Sequence, residues 1–286
     1  MLLERIKYGT RPEIDKDSTM LMLERKPRRL CLAVKSQSCC FSRVNAEGLL
    51  GKFSSKFPNT VDSIFRRETG LSLFKKDGPY GTTYSYFIFD EPTYQIVALF
   101  ANKYYQRVFI NDQLFVSMAL GMLQEYKDGD DEPSHTIIGE LERQAKYDGN
   151  EDAIRQLVAE TADFIKTTPY YKDASCICAM PSSKGLPKTI AKQVAQSCEG
   201  LADMSDCLSF DNDKNEVKDL NGDQRWDVLE RANLMVEENV KDHVVILLDD
   251  LYQSGISMQY ATMKLLEAGA INVYGLALVK SLTNNQ

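Results

Sequence analysis

The feature that most constrains the fold lies between residues 137 and 280, where short apolar runs alternate with stretches of helical spacing. Helical patterns cover 137–147 and 151–167 ("EDAIRQLVAETADFIKT"), and the apolar run "SCICAM" (175–180) follows. Next come the loop "PSSKG" (181–185), a helix over 186–198 and a short strand "DCLSF" (206–210). A polar excursion (211–242) leads to a strand at 243–248, a helix at 257–268 and a strand at 272–279. Strands that are apolar at nearly every position need cover on both faces. A parallel sheet flanked by helices supplies that cover, so the expected class is α/β.

Residues 1–130 read differently. "RRLCLAVKS" (28–36), "TYSYFIFD" (83–90), "YQIVALFA" (94–101) and "YQRVFI" (105–110) have strand composition, and the short "EPT" suggests a hairpin joining the second and third. "VDSIFRRE" (61–68) suggests a short helix, and 111–128 shows helical spacing at Leu114, Met118 and Met122. The acidic "DGDDEPS" (128–134) reads as a linker. The expected organisation is a β-rich α+β unit over 1–130, of no recognised type, and the α/β unit over 131–286.

The chain has 286 residues and a formal net charge of −7, unevenly spread. Residues 1–110 carry 18 Lys/Arg against 11 Asp/Glu, and residues 111–286 carry 16 against 30. The basic excess, with "ERKPRR" (24–29), "FRR" (65–67) and aromatics around Tyr80–Phe109, suits single-stranded nucleic acid as a partner. The alternative is a unit whose aromatics fill its own core. No apolar run approaches the roughly 20 residues that span a bilayer. "MLLERIKYGTRPE" lacks a signal-peptide core, and no membrane partner is expected. The seven cysteines include no C-x-x-C pair, and the only histidines are His135 and His243, which argues against zinc. Cys176 and Cys178 read as reduced core residues, and the expected location is cytoplasmic.

The candidate site is "VVILLDDLYQSGIS" (244–257), where an apolar strand runs into Asp249 and Asp250. In open parallel sheets, ligands collect at the carboxyl ends of strands, where loops meet helix N-termini. The unpaired N–H groups of the following helix suit a phosphate. Ser254 and Ser257 add hydroxyls, and Gly255 permits close backbone approach. Two acceptors for sugar hydroxyls beside a phosphate cradle fit a sugar phosphate. A Walker B strand also ends in acids. The nearest stretch to its partner loop, "AEGLLGKFS", has Ala46 and Phe53 where Gly and Ser/Thr belong. A turn acid that merely caps the next helix accounts for one aspartate only.

These residues resemble the phosphoribosyl-pyrophosphate (PRPP) signature of type I phosphoribosyltransferases, in which apolar residues precede two acids and a loop ending in Thr/Ser-Gly-x-Thr/Ser. "ELERQAKYDGNEDAIRQLVAE" (140–160), "ICAMPSSKGLPKTIAKQVA" (177–195) and "EVKDLNGDQRWDVL" (216–229) are similar to the competence protein F (ComF) branch. The resemblance covers 137–280 and implies a phosphoribosyltransferase-like sheet. It implies that Asp249 and Asp250 hold the ribose hydroxyls, directly or through magnesium, and contact Mg2+ through water. Gln253, Ser254, Gly255, Ile256 and Ser257 then wrap the 5′-phosphate. Ser182, Ser183, Lys184 and Gly185 occupy the place of the pyrophosphate loop. Lys218 and Arg225, in the excursion that covers such sites, are further pyrophosphate contacts. Lys184 also reads as a solvated loop lysine, and Lys218 and Arg225 as salt-bridge partners of nearby carboxylates.

The reaction implied is displacement of pyrophosphate from PRPP, with Mg2+ as cofactor and assembly as a homo-oligomer. The acceptor is not written in the sequence. "SLTNNQ" (281–286) offers no aromatic for stacking a base, and Trp226 and Tyr252 read as core or wall. Two other functions stay open: a sensor of PRPP or a nucleotide monophosphate without turnover, and a nucleic-acid-handling protein that uses the fold as a scaffold.

Overall fold

The computed structural model describes residues 30–33, 39–46, 49–55, 58–78, 81–111, 116–126, 132–211 and 228–282. The N-terminal elements are β1 (Leu30–Ala33), β2 (Cys39–Ala46), β3 (Leu49–Ser55), α1 (Pro58–Thr69), β4 (Phe74–Gly78) and β5 (Gly81–Ile88). They continue with α2 (Glu91–Lys103), β6 (Val108–Asn111), β7 (Ser117–Met122), β8 (Gln124–Glu125) and β9 (Ser134–His135). Then come α3 (Ile137–Arg143), a π-helical turn (Gln144–Asp148), α4 (Glu151–Thr167), β10 (Cys176–Ala179), α5 (Leu186–Ser197) and β11 (Ala202–Met204). The chain ends with β12 (Leu208–Phe210), β13 (Leu234–Val236), β14 (Val244–Tyr252), α6 (Ile256–Glu267) and β15 (Asn272–Lys280).

A seven-stranded sheet runs in the order β1-β6-β7-β15-β14-β10-β11. From β7 to β11 every neighbouring pair is parallel, and β6 and β1 add antiparallel pairs at one edge. The class is α/β, with a central parallel sheet between helices. Side chains alternate across the strands. Ile177, Ala179, Ile246 and Leu248 join one core with α4 and α5. Cys176, Cys178, Val245 and Leu247 join the other, with α6. Both faces of β14 are therefore buried, which is why its sequence is a continuous apolar run. Cys176, Cys178, Cys198 and Cys207 are free thiols in the interior.

The division at 130/131 runs through this sheet. β1, β6 and β7 precede residue 130 and are strands of it. A four-stranded antiparallel sheet, β2-β3-β5-β4, packs with α1 and α2, and its Phe53, Phe65 and Phe100 belong to the same core as Ile246 and Leu248. Phe53 and Phe65 stack at 5.1 Å and Phe100 meets both edge-on, so these aromatics fill the protein's own interior. Arg66 pairs with Asp62 at 2.9 Å, and Arg67 pairs with Asp173 at 2.7 Å over the Tyr170 ring. The basic run 24–29 lies outside the described residues. No helix among the described residues is long and apolar enough to cross a membrane.

Three expected elements differ. The strand at 94–101 is α2: Asp90 caps it by accepting from the Thr93 N–H at 2.8 Å, and Pro92 sits in its first turn. "DEPT" is therefore a helix start rather than a hairpin turn. Val97, Phe100, Ala101 and Tyr104 then form its buried stripe. The helix at 111–128 is contradicted by β7, an interior strand whose Met118 and Leu120 face one core and Ala119 the other. Burial on both faces imitated helical spacing. Leu208–Phe210 forms a strand, but in a two-stranded ribbon with Leu234–Val236; the sheet edge is Ala202–Met204. Most of the expected linker lies outside the described residues, and Ser134–His135 pairs with Gln124–Glu125.

α3 is seated tightly against the carboxyl end of the sheet. The Thr136 hydroxyl caps α3, accepting from the Gly139 N–H at 3.0 Å, and it donates to the Met122 carbonyl. The Leu123 N–H donates to the Lys280 carbonyl at 2.8 Å, tying this corner to β15. A Cβ on Gly139 would stand 1.9 Å from the Leu123 carbonyl oxygen, and backbone cannot move aside cheaply. Gly139→Ala is expected to destabilise the protein by about 1–3 kcal/mol, read as a lowered Tm. An unchanged Tm would show that α3 does not rest on Leu123.

Candidate functional site

β10 leads through α5 to β11 on one side, and β14 leads through α6 to β15 on the other. The strand order thus reverses between β10 and β14, and a crevice opens at their carboxyl ends. β10 and β14 are paired there, with Ala179 opposite Leu248 and the Met180 N–H donating to the Leu248 carbonyl at 2.8 Å. The loop 181–185 and residues 253–255 therefore leave neighbouring strands side by side.

Both loops end in a left-handed glycine that caps the next helix. Gly185 has φ 68° before α5, and Gly255 has φ 74° before α6; neither helix has a side-chain cap. In α6 the Ile256 N–H turns back to Ser254 Oγ at 3.5 Å, and in α5 Pro187 has no N–H to offer, so the remaining first-turn N–H groups are the ones that another acceptor can meet. Within the first loop, the Gly185 N–H donates to Ser182 Oγ at 3.1 Å, closing a tight turn, while Ser183 and Lys184 are exposed. In the second loop Ser254 is buried, and Gln253, Gly255 and Ser257 are partly accessible. Ile256 is packed into the core. Tyr252 is wholly buried, and its hydroxyl lies 2.1 Å from where a Gly255 Cβ would be. That tyrosine is the wall on which the loop rests, not an accessible platform for a base.

β14 continues past residue 248, with Asp249 opposite Ala277 and Tyr252 opposite Lys280. The two aspartates lie inside the last turns of a strand, so their side chains leave on opposite faces. Asp249 is partly accessible, and its Oδ1 accepts from the Asp250 N–H at 2.9 Å. Asp250 is 6% exposed and faces the π-helical turn, where Lys146 Nζ stands 2.9 Å from its Oδ2. The same ammonium is 3.3 Å from Glu142 Oε1, and Glu142 is also buried. Burial pushes the Glu142 carboxyl above its ordinary value, and the Asp250 charge adds to this while Lys146 opposes it. Burial alone would lower Lys146, but Asp250 and Glu142 outweigh it and hold the ammonium above its usual range.

The structure brings together Asp249, Asp250, residues 253–257 and the loop 182–185. Lys218, Arg225 and Trp226 lie outside the described residues. Glu142 and Lys146 carried no expected role. Their i, i+4 spacing marks an ion pair on a helix, but nothing local tells a buried pair from a solvated one. As to metal, no group of three His, Cys, Asp or Glu side chains among the described residues is arranged to hold an ion. Magnesium keeps several waters and takes one or two carboxylates together with substrate oxygens; of the two acids here, Asp249 is partly accessible, while Asp250 is buried against Lys146.

No protein-family model matches the sequence, and no characterised protein matches it at significant similarity. Solved structures similar to the chain include a UMP synthase of Leishmania donovani, at 19% identity and TM-score 0.31 over 55% of this chain. The chain spans 27% of that protein's length. An HGPRT-ase from Leishmania tarentolae in complex with GMP is similar at 16% identity and TM-score 0.30, over 46% of this chain and 67% of that one. A purine phosphoribosyltransferase from Pyrococcus horikoshii is similar at 9% identity and TM-score 0.28, over 46% and 88%. Likeness at this level says nothing of activity.

Two outcomes follow from the geometry. Gly255→Ala forces a Cβ into Tyr252 and an L-residue into the left-handed region, which alone costs about 1–2 kcal/mol. Its Tm is expected to fall, and because the ring carbons Cζ and Cε2 of Tyr252 would also stand 2.4 and 2.9 Å from that Cβ, Tyr252→Phe in the same chain is expected to recover little of the loss. Full recovery would mean that only the hydroxyl crowds the loop. The raised Glu142 pKa makes its contribution fullest below about 4.5, and that contribution is lost as pH rises through the folded value. Wild type should lose stability relative to Glu142→Gln as pH is raised from 4.5 to 8; parallel melting profiles would refute this.

Proposed function

We propose that the chain is a phosphoribosyltransferase-like protein that binds Mg-PRPP, or a nucleotide 5′-monophosphate, at the crevice between β10 and β14. The observation that carries this reading is the pair of uncapped helix N-termini on neighbouring strands, with two carboxylates beside them. One anion site is not diagnostic. Two anion sites flanking acceptors for hydroxyls match a sugar with a phosphate at each end.

In this reading the 5′-phosphate lies on the N–H groups of α6, with Ser254 and Ser257 adding hydroxyl donors. The ribose 2- and 3-hydroxyls donate to Asp249 and Asp250. The pyrophosphate lies on the backbone of 182–185 at the head of α5, and Lys184 extends a charge toward it from an exposed position. When present, magnesium neutralises charge on the leaving pyrophosphate. Transfer breaks the bond between the anomeric carbon and the pyrophosphate oxygen and forms one to the acceptor nucleophile. The bond electrons leave with the pyrophosphate. Positive charge grows on the sugar in between, and the carboxylates next to the ring favour it. Lys218 and Arg225 are proposed as further contacts of the leaving group.

Calorimetric titration with PRPP and Mg2+ tests the site. Hydrogen bonds to charged groups contribute about 1.5–3 kcal/mol each. Asp249→Ala/Asp250→Ala is therefore expected to lower affinity by well over tenfold while its Tm shows that it folds. Equal affinity in the variant, or no binding by the wild type, would overturn the proposal.

A further inference from the structure

Lys146 is the least expected feature of the site. It belongs to a π-helical turn inserted between α3 and α4, a local irregularity that shifts the register of the side chains that follow. The turn carries its ammonium over the end of β14. There the side chains of Lys146, Glu142 and Asp250 are only 16%, 4% and 8% exposed. A lysine with one partner can swing on its flexible stem. Glu142 at 3.3 Å on the other side pins it against Asp250 at 2.9 Å.

This arrangement bears on what the acid pair can take. A divalent cation needs open carboxylate oxygens and no neighbouring positive charge. At Asp250 the oxygen that points toward the helices faces an ammonium instead. Asp249 points to the other side of the strand, so the two acids do not converge as a chelating pair. A sugar hydroxyl meets no such obstacle at Asp250, because it is neutral, donates a hydrogen bond to a carboxylate oxygen and is not repelled by the lysine, and one hydroxyl can engage each acid separately.

We propose that Lys146, seated by Glu142, is a positioning residue that occupies Asp250 and keeps a divalent cation off it, so that the acid pair serves sugar hydroxyls rather than a resident metal. This rests on reading residues 249–257 as a sugar-phosphate site. It follows that magnesium arrives with the pyrophosphate of its ligand and not ahead of it. Removing the ammonium would leave Glu142 and Asp250 as two facing buried carboxylates, which is a cation site of the kind the lysine prevents.

The test has two arms, each read by calorimetry on full-length protein, with Tm confirming the fold. In the first, the probe is Mn2+ or Mg2+ alone. Lys146→Met is expected to bind it at least tenfold more tightly than wild type, and Lys146→Arg, which keeps the charge, to behave as wild type. Equal cation affinity in Lys146→Met and wild type overturns the proposal. In the second arm the probe is PRPP with Mg2+. Lys146→Met is expected to bind at least tenfold more weakly, with rescue by Lys146→Arg; unchanged affinity overturns the positioning role. If Lys146→Met does not fold, Lys146→Met/Glu142→Gln removes the lysine without leaving two facing charges, and wild-type PRPP affinity in that variant is equally fatal. A wild type that takes no PRPP sinks the sugar-phosphate reading and the diol role together. The first arm then still decides whether the lysine excludes cations.

Discussion

The structure depends on one conflict within β14, a strand buried on both faces that carries two carboxylates near its carboxyl end. Apolar cover on either side is what makes the strand central, and the same cover withdraws water from the acids that follow. An unpaired buried carboxylate costs several kcal/mol, and breaking a buried pair costs a similar amount. Asp250 must therefore find a cation inside the protein, and Lys146 supplies it. That requirement brings α3 and its π turn to the carboxyl end of the sheet. The seating of α3 on Thr136 and Gly139 follows from the same need. The anchoring of β7 to β15 and the course of α4 down the back of the sheet extend from that corner.

Much of the C-terminal half is legible because its signals are local. Asn150 caps α4 by accepting from the Asp152 and Ala153 N–H groups, and the helix spans the 151–167 that its apolar spacing indicates. Glycine and proline punctuate α5, and an apolar run with no polar face marks β10. The acids and the Ser-Gly loop were visible for a similar reason. They are chemically conspicuous, and the physics that puts ligands at strand ends needs only topology. What the sequence hid was the length of β14. An aspartate reads as the end of a strand, yet Asp249 stays in register with Ala277, and its Oδ1 accepts from the N–H of the next residue in the same strand.

The N-terminal part was harder to read because its decisive partners are remote. β7 resembles a helix in isolation, and only its place between β6 and β15 explains a strand with no polar face. α2 contains the β-branched and aromatic residues of a strand, and its identity rests on the cap at Asp90, a signal one residue wide. No composition shift announces that strands before residue 130 complete the sheet, because hydrogen-bond pairing between edges leaves no trace in local pattern. Lys146 was missed on the same grounds. Its meaning lies in a carboxylate that the chain reaches only after two further strands of the same sheet.

Strand alternation also assigns the two acids to different neighbours. Asp249 leaves β14 on the side covered by α6, whose N-terminus is the proposed phosphate cradle. Asp250 leaves on the side covered by α3, α4 and α5, where the lysine waits. A ligand lying across the strand end would meet one accessible acid backed by a helix dipole and one buried acid already balanced by an ammonium. The two carboxylates are therefore not duplicates. The first is partly accessible and can meet a ligand from the solvent side. The second can accept a hydroxyl only where the geometry of its ion pair leaves a lone pair directed into the crevice. Selectivity for a sugar diol over a bare cation then comes from the lysine at the back of the site, and not from the acids that the sequence displays most openly.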